Sequence, residues 1–83
     1  MYNEKNIFIQ DVGKVILKLD KVLLEKDISV SKLAKEARIQ FNQAKSYSEG
    51  DMQQVNLVIL AKICHTLGCT INDLLEYIPP EEV

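Results

Sequence analysis

Residues 29–50 read SVSKLAKEARIQFNQAKSYSEG, and the fold turns on how that stretch divides. Ser29 suits a helix N-cap, because its hydroxyl can accept from the free amides of the next turn. Val30, Leu33, Ala34 and Ala37 then recur at helical spacing and give a short helix one apolar stripe. Arg38 and Ile39 form a tight connection. Gln40 to Ser48 predicts another short helix with Ala44 and Tyr47 facing inward, and Gly50 stops it. Ala34 falls where the two helices cross, and a larger side chain there would push them apart. Leu33, Ile39, Ala44 and Tyr47 fill the space between them. The face carrying Phe41, Asn42, Lys45, Ser46 and Glu49 is left uncovered.

Working outward toward the N-terminus, Val12, Val15, Ile16, Leu19, Val22 and Leu23 recur every three or four residues. This stripe predicts a helix over 11–26, closed by Asp27 and Ile28. The run NIFIQDVGKVILKL over 6–19 also admits a β-hairpin. The helical stripe is longer and better spaced, which leaves residues 1–10 as an N-terminal arm. Toward the C-terminus, residues 51–55 read as a polar loop and Asn56 as the cap of a fourth helix. Its core stripe is Leu57, Leu60, Ala61, Cys64 and Leu67, with Gly68 just past its end. Thr70 caps a fifth helix, Asp73 completes a capping-box-like pair, and Leu74, Leu75 and Ile78 give the apolar side. Pro79 and Pro80 end it, and 80–83 form a tail. The expected fold class is all-α, a compact five-helix domain over 11–79.

The chain has 83 residues, 47% of them hydrophobic and 27% charged. That is one small domain of ordinary globular composition, too short for a two-lobed enzyme. No apolar run approaches the ~18 residues of a membrane span, and no signal-peptide pattern opens the chain. A soluble, cytoplasmic protein is expected. Cys64, His65 and Cys69 suggest zinc, but structural zinc takes four ligands and no fourth lies nearby. Two reduced, buried cysteines are the simpler reading. A single histidine, no Ser-His-Asp set and no glycine-rich phosphate loop give no support to catalysis or to a cofactor.

The segment 29–50 resembles the helix-turn-helix of the lambda-repressor-like (Cro/cI, XRE-type) DNA-binding family. The downstream run LVILAKICHTLGCTINDLLEYIP resembles that family's fourth and fifth helices. The likeness covers about residues 19–79, with the helix-turn-helix itself at about 29–48. It implies a transcriptional regulator that presents its third helix to double-stranded operator DNA. Residues at the positions of Phe41, Asn42 and Ser46 commonly touch bases in that family. By their chemistry, Asn42 and Gln43 each suit adenine, Phe41 a thymine methyl, and Lys45 guanine or a phosphate. The amides of Ser29, Val30 and Ser31 suit a phosphate, and Lys32, Lys35 and Arg38 add sequence-independent attraction. Gln53, Gln54 and Asn56 correspond to a second backbone-contacting region of the family. The chain departs from the pattern at Arg38, where Gly is usual, and at Gln40, where Ser or Thr is usual. It departs again at Ala44, where Ile or Val is usual, and at Glu49 and Asp51, which border a loop often rich in Lys or Arg. Those acids weaken an expectation of tight DNA binding.

The net charge of −2 conceals a division. Residues 1–28 are neutral, 29–48 carry +3 and 49–83 carry −5. The mild overall acidity therefore does not exclude DNA. The fourth helix is more apolar than one core stripe requires. Ile7, Ile9, Val55, Val58 and Ile59 are expected to form a homodimer contact, with a thicker monomer core as the alternative. A helix-turn-helix that has turned to binding a protein, as antitoxin or anti-repressor, is the competing function.

Overall fold

The computed structural model describes residues 12–50 and 52–80. In order, it contains β1 (Lys14–Leu17), α1 (Leu19–Lys26), α2 (Val30–Ala37), α3 (Phe41–Glu49), α4 (Leu57–Leu67), α5 (Ile71–Leu74) and β2 (Leu75–Ile78). The expected arm 1–10, including Ile7 and Ile9, lies outside the described residues, as do Asp51 and the end of the tail.

The central pair of helices forms where the spacing places it. Ser29 Oγ accepts from the Lys32 backbone N–H at 3.0 Å and starts α2. Arg38 ends it in the left-handed region, with φ 59°. Gly50, at φ 75°, ends α3. Leu33, Ala34 and Ala37 of α2 pack against Ala44 and Tyr47 of α3. Val22 and Leu23 of α1 and Leu74 of α5 complete one side of that core.

Two expectations are corrected. The N-terminal stripe is a strand followed by a helix, and the fifth helix is a single turn followed by a strand. β1 and β2 pair antiparallel in the register Lys14↔Ile78 to Leu17↔Leu75, so the all-α description becomes five helices with a two-stranded sheet. Val15 and Ile16 are β-branched and favour a strand. Gly13, at φ 82°, bends the chain beside the Ile78 carbonyl, where no side chain fits. The Tyr77 hydroxyl donates to the Val12 carbonyl at 2.7 Å and tethers the sheet's open end. The hairpin alternative has the strand correct; its described partner is the distant segment 75–78.

The register of α4 is a third correction. Its core face is Ile59, Leu60, Ile63 and Leu67, whereas Leu57 and Ala61 are exposed and Cys64 is half-buried. The helix is apolar around most of its circumference. Two stripes therefore satisfy helical spacing equally, and contact with α2 selects between them. Ile59, assigned to a subunit contact from sequence, is only 8% exposed because its own chain's core uses it.

Candidate nucleic-acid interface

α3 turns Ala44 and Tyr47 into the core and leaves Phe41, Asn42, Gln43, Lys45 and Ser46 exposed. Phe41 is 49% exposed, so it lies at the rim of that surface rather than in the core. Gln43 is partly committed. Its side-chain oxygen accepts from the Gln40 backbone N–H at 3.3 Å, which helps to cap α3. Asn42 makes no side-chain hydrogen bond among the described residues, so its amide is the freer of the two.

The loop before α4 faces this surface. Asn56 Oδ1 accepts from the backbone N–H groups of Val58 at 2.8 Å and Ile59 at 3.2 Å, which caps α4. The Asn56 backbone N–H donates to the Tyr47 hydroxyl at 2.8 Å. Tyr47 is thus core by its ring and a strut by its oxygen, holding the loop against α3. A buried tyrosine normally finds a partner for its hydroxyl, and that is the sequence signal for this link. Between the two walls runs a groove of about 540 Å³, lined on one side by Asn42, Gln43 and Ser46 and on the other by Gln54, Val55 and Asn56. Gln53 is not brought to it; it lines a smaller cleft beside Val15 and Ile16.

The expected phosphate ligands divide between surfaces. Ser31, Lys32 and Lys35 are exposed along α2, and Val30 is half-buried against the core. The Ser29 hydroxyl is occupied by capping. Arg38 lines a separate cleft with Lys62 and His65, neither of which the sequence reading assigned to DNA. Glu49 is exposed but does not line the groove. No three His, Cys, Asp or Glu side chains among the described residues come together to hold a metal ion. Among the same residues, no helix is long and apolar enough to cross a membrane.

The model of the Cro/C1-type helix-turn-helix DNA-binding domain matches residues 18–80, from the residue before α1 to the second proline after β2. The chain belongs to this family. The solved structures include a similar fold, the crystal structure of the transcriptional regulator VanUg, at a TM-score of 0.66. Identity to it is 24%, over 86% of this chain and 93% of that one. No curated protein matches. Within the matched Cro/C1-type region, α2 and α3 are two short helices joined by the tight turn at Arg38 and Ile39. β1 precedes the matched region, so the sheet joins a strand outside the family's pattern to one inside it.

Proposed function

We propose that the chain is a sequence-specific transcriptional regulator that docks α3 in the major groove of operator DNA as a homodimer. The observation that carries this reading is the exposed face of α3, rich in amide and hydroxyl groups, with Gln54 and Asn56 across the groove from it. A helix of that width enters the ~12 Å major groove, and a paired amide contact to adenine is worth ~1–3 kcal/mol of discrimination. Asn42 and Ser46 are the principal readers. Phe41 contributes by apolar contact and Lys45 by charge, with Gln43 restrained by its cap. Lys32 and Lys35 supply attraction to the phosphates, and Arg38 acts from its own cleft. The protein works without a catalytic step, metal or cofactor.

The dimer reading now rests on a narrower surface. Leu57 is 77% exposed and Val58 62% exposed, on the turn that follows Asn56, with Val55 just before it. An apolar surface beside the reading groove suits a two-fold contact that sets two half-sites one helical turn apart. The exposed ring of Phe41 favours a second reading, in which this face of α3 takes a protein segment.

Salt separates the two. Affinity for DNA falls log-linearly with salt, by ~0.9 per neutralised phosphate, because counterions are released. Asn42→Ala should relax sequence preference, and Lys35→Ala should weaken all duplexes alike and reduce the slope by about 1. A flat salt response, with both variants behaving as wild type, favours the protein-binding alternative.

A further inference from the structure

The C-terminal end of α4 brings the chain's two cysteines together. Gly68, at φ 65°, turns the chain back on itself, and its backbone N–H donates to the Cys64 carbonyl. The Cys69 N–H donates to that same carbonyl at 3.1 Å. In such a helix ending the residue four before the left-handed glycine and the residue just after it make side-chain contact, usually an apolar one. Here both are thiols, free and half-buried. Cys69 also opens onto a cleft of about 380 Å³ lined by Lys18, Lys21, Glu25, Lys26 and Asp73. Lys18 is paired with Glu76 at 3.7 Å, so the charges around the cleft balance and it is open to a small molecule that carries both signs.

We propose that Cys64 and Cys69 are a reversible dithiol–disulfide site, oxidised through thiol–disulfide exchange by a small zwitterionic disulfide of the glutathione-disulfide class. Cys69 is the entry point, because it faces the cleft. Its thiolate attacks one sulfur of the disulfide, an S–S bond forms, and the first glutathione leaves as a thiolate that takes up a proton. The Cys64 thiolate then attacks the Cys69 sulfur, and the second glutathione leaves in the same way. Two protein thiols have lost two hydrogens, and one glutathione disulfide has become two glutathiones. The backbone bonds converging on the Cys64 carbonyl hold Cys64 and Cys69 side by side, as a disulfide between them requires. Burial, the neighbouring Cys64 and the Asp73 carboxylate push the Cys69 thiol up in pKa, and Lys26 opposes them. The thiolate is the nucleophile, so exchange accelerates as pH rises. The site depends on the cap of α4 and not on DNA binding.

The test equilibrates the full chain in glutathione redox buffers, quenches with acid, blocks free thiols and measures mass. The expected product is a monomer lighter by two hydrogens, resistant to thiol blocking and restored by dithiothreitol. It should form with an equilibrium constant about tenfold above that of the urea-unfolded chain, which corresponds to about 30 mV. Cys64→Ser should stop at a glutathione adduct on Cys69. Gly68→Ala, checked for retained helix by circular dichroism, should reduce the native advantage, because its left-handed turn is strained for any side chain. The proposal is overturned if the native chain oxidises no more readily than the unfolded one, or if bridges form only between chains.

Discussion

Tyr47→Phe isolates the strut that joins the reading helix to the loop before α4. The ring is 4% exposed, and phenylalanine fills the same volume, so no cavity opens. What is lost is the oxygen that accepts from the Asn56 backbone N–H at 2.8 Å. A hydrogen bond of this kind contributes ~0.5–1.5 kcal/mol net, and more when the stranded donor is hidden from water. Asn56 itself is exposed, so water reaches part of the lost bond and about 1 kcal/mol is the expected cost. For a domain of this size that lowers Tm by ~4–8 °C. The same change frees the loop carrying Gln54 and Asn56 to move away from α3, so DNA affinity should fall several-fold beyond any loss of folded protein. Urea denaturation by circular dichroism measures the first effect, amide exchange at Asn56 locates it, and a duplex titration measures the second. Stability within ~0.3 kcal/mol of wild type, together with unchanged Asn56 exchange, refutes the strut.

Three further outcomes follow from local geometry. Arg38→Gly relieves a left-handed residue at φ 59°. The strain is worth ~1–2 kcal/mol, but glycine's freedom in the unfolded chain offsets part of it, so thermal unfolding should show a net gain of about 1 kcal/mol or less. The same variant should weaken DNA binding and flatten its salt slope. Gly13→Ala drives a Cβ into the Ile78 carbonyl at a φ of 82° and should cost roughly 1–3 kcal/mol in urea. Amide exchange should show that loss at β1 and β2, with α2 and α3 still protected. The Thr70 backbone N–H and hydroxyl donate to the Asp73 carboxylate at 2.9 Å and 3.1 Å and hold its pKa below the ordinary carboxylate value. A depressed pKa means that this capping contribution is present above the unfolded value of about 3.9 and is lost as pH falls through the folded value. Acid titration of Asp73→Asn should therefore lack that component of the stability decline.

The division of 29–50 into two helices is readable because each signal is local. A serine cap, a tight turn and a glycine stop lie within a few residues of the stripes they bound. The exposure of Asn42 and Ser46 is readable for the same reason, since burying Ala44 and Tyr47 fixes which face of α3 points out. The strands are not readable in this way. Lys14–Leu17 finds its partner at 75–78, across the whole domain, and nothing in the spacing of either segment names the other. The phase of α4 is hidden by its own hydrophobicity, and only contact with α2 places Ile59 and Ile63 inward. At the candidate site the residue types are legible but their prior engagements are not. Gln43 looks free in sequence, yet its side-chain oxygen already accepts from the Gln40 backbone N–H.

Selection from a random duplex library by the full chain, at moderate salt, tests the central claim most directly. The account predicts enrichment of a pseudo-palindrome whose half-site centres lie about 10–10.5 base pairs apart, the spacing a two-fold helix-turn-helix dimer imposes. It also predicts that Asn42→Ala loses preference at one position in each half-site. A selected pool indistinguishable from the input contradicts it.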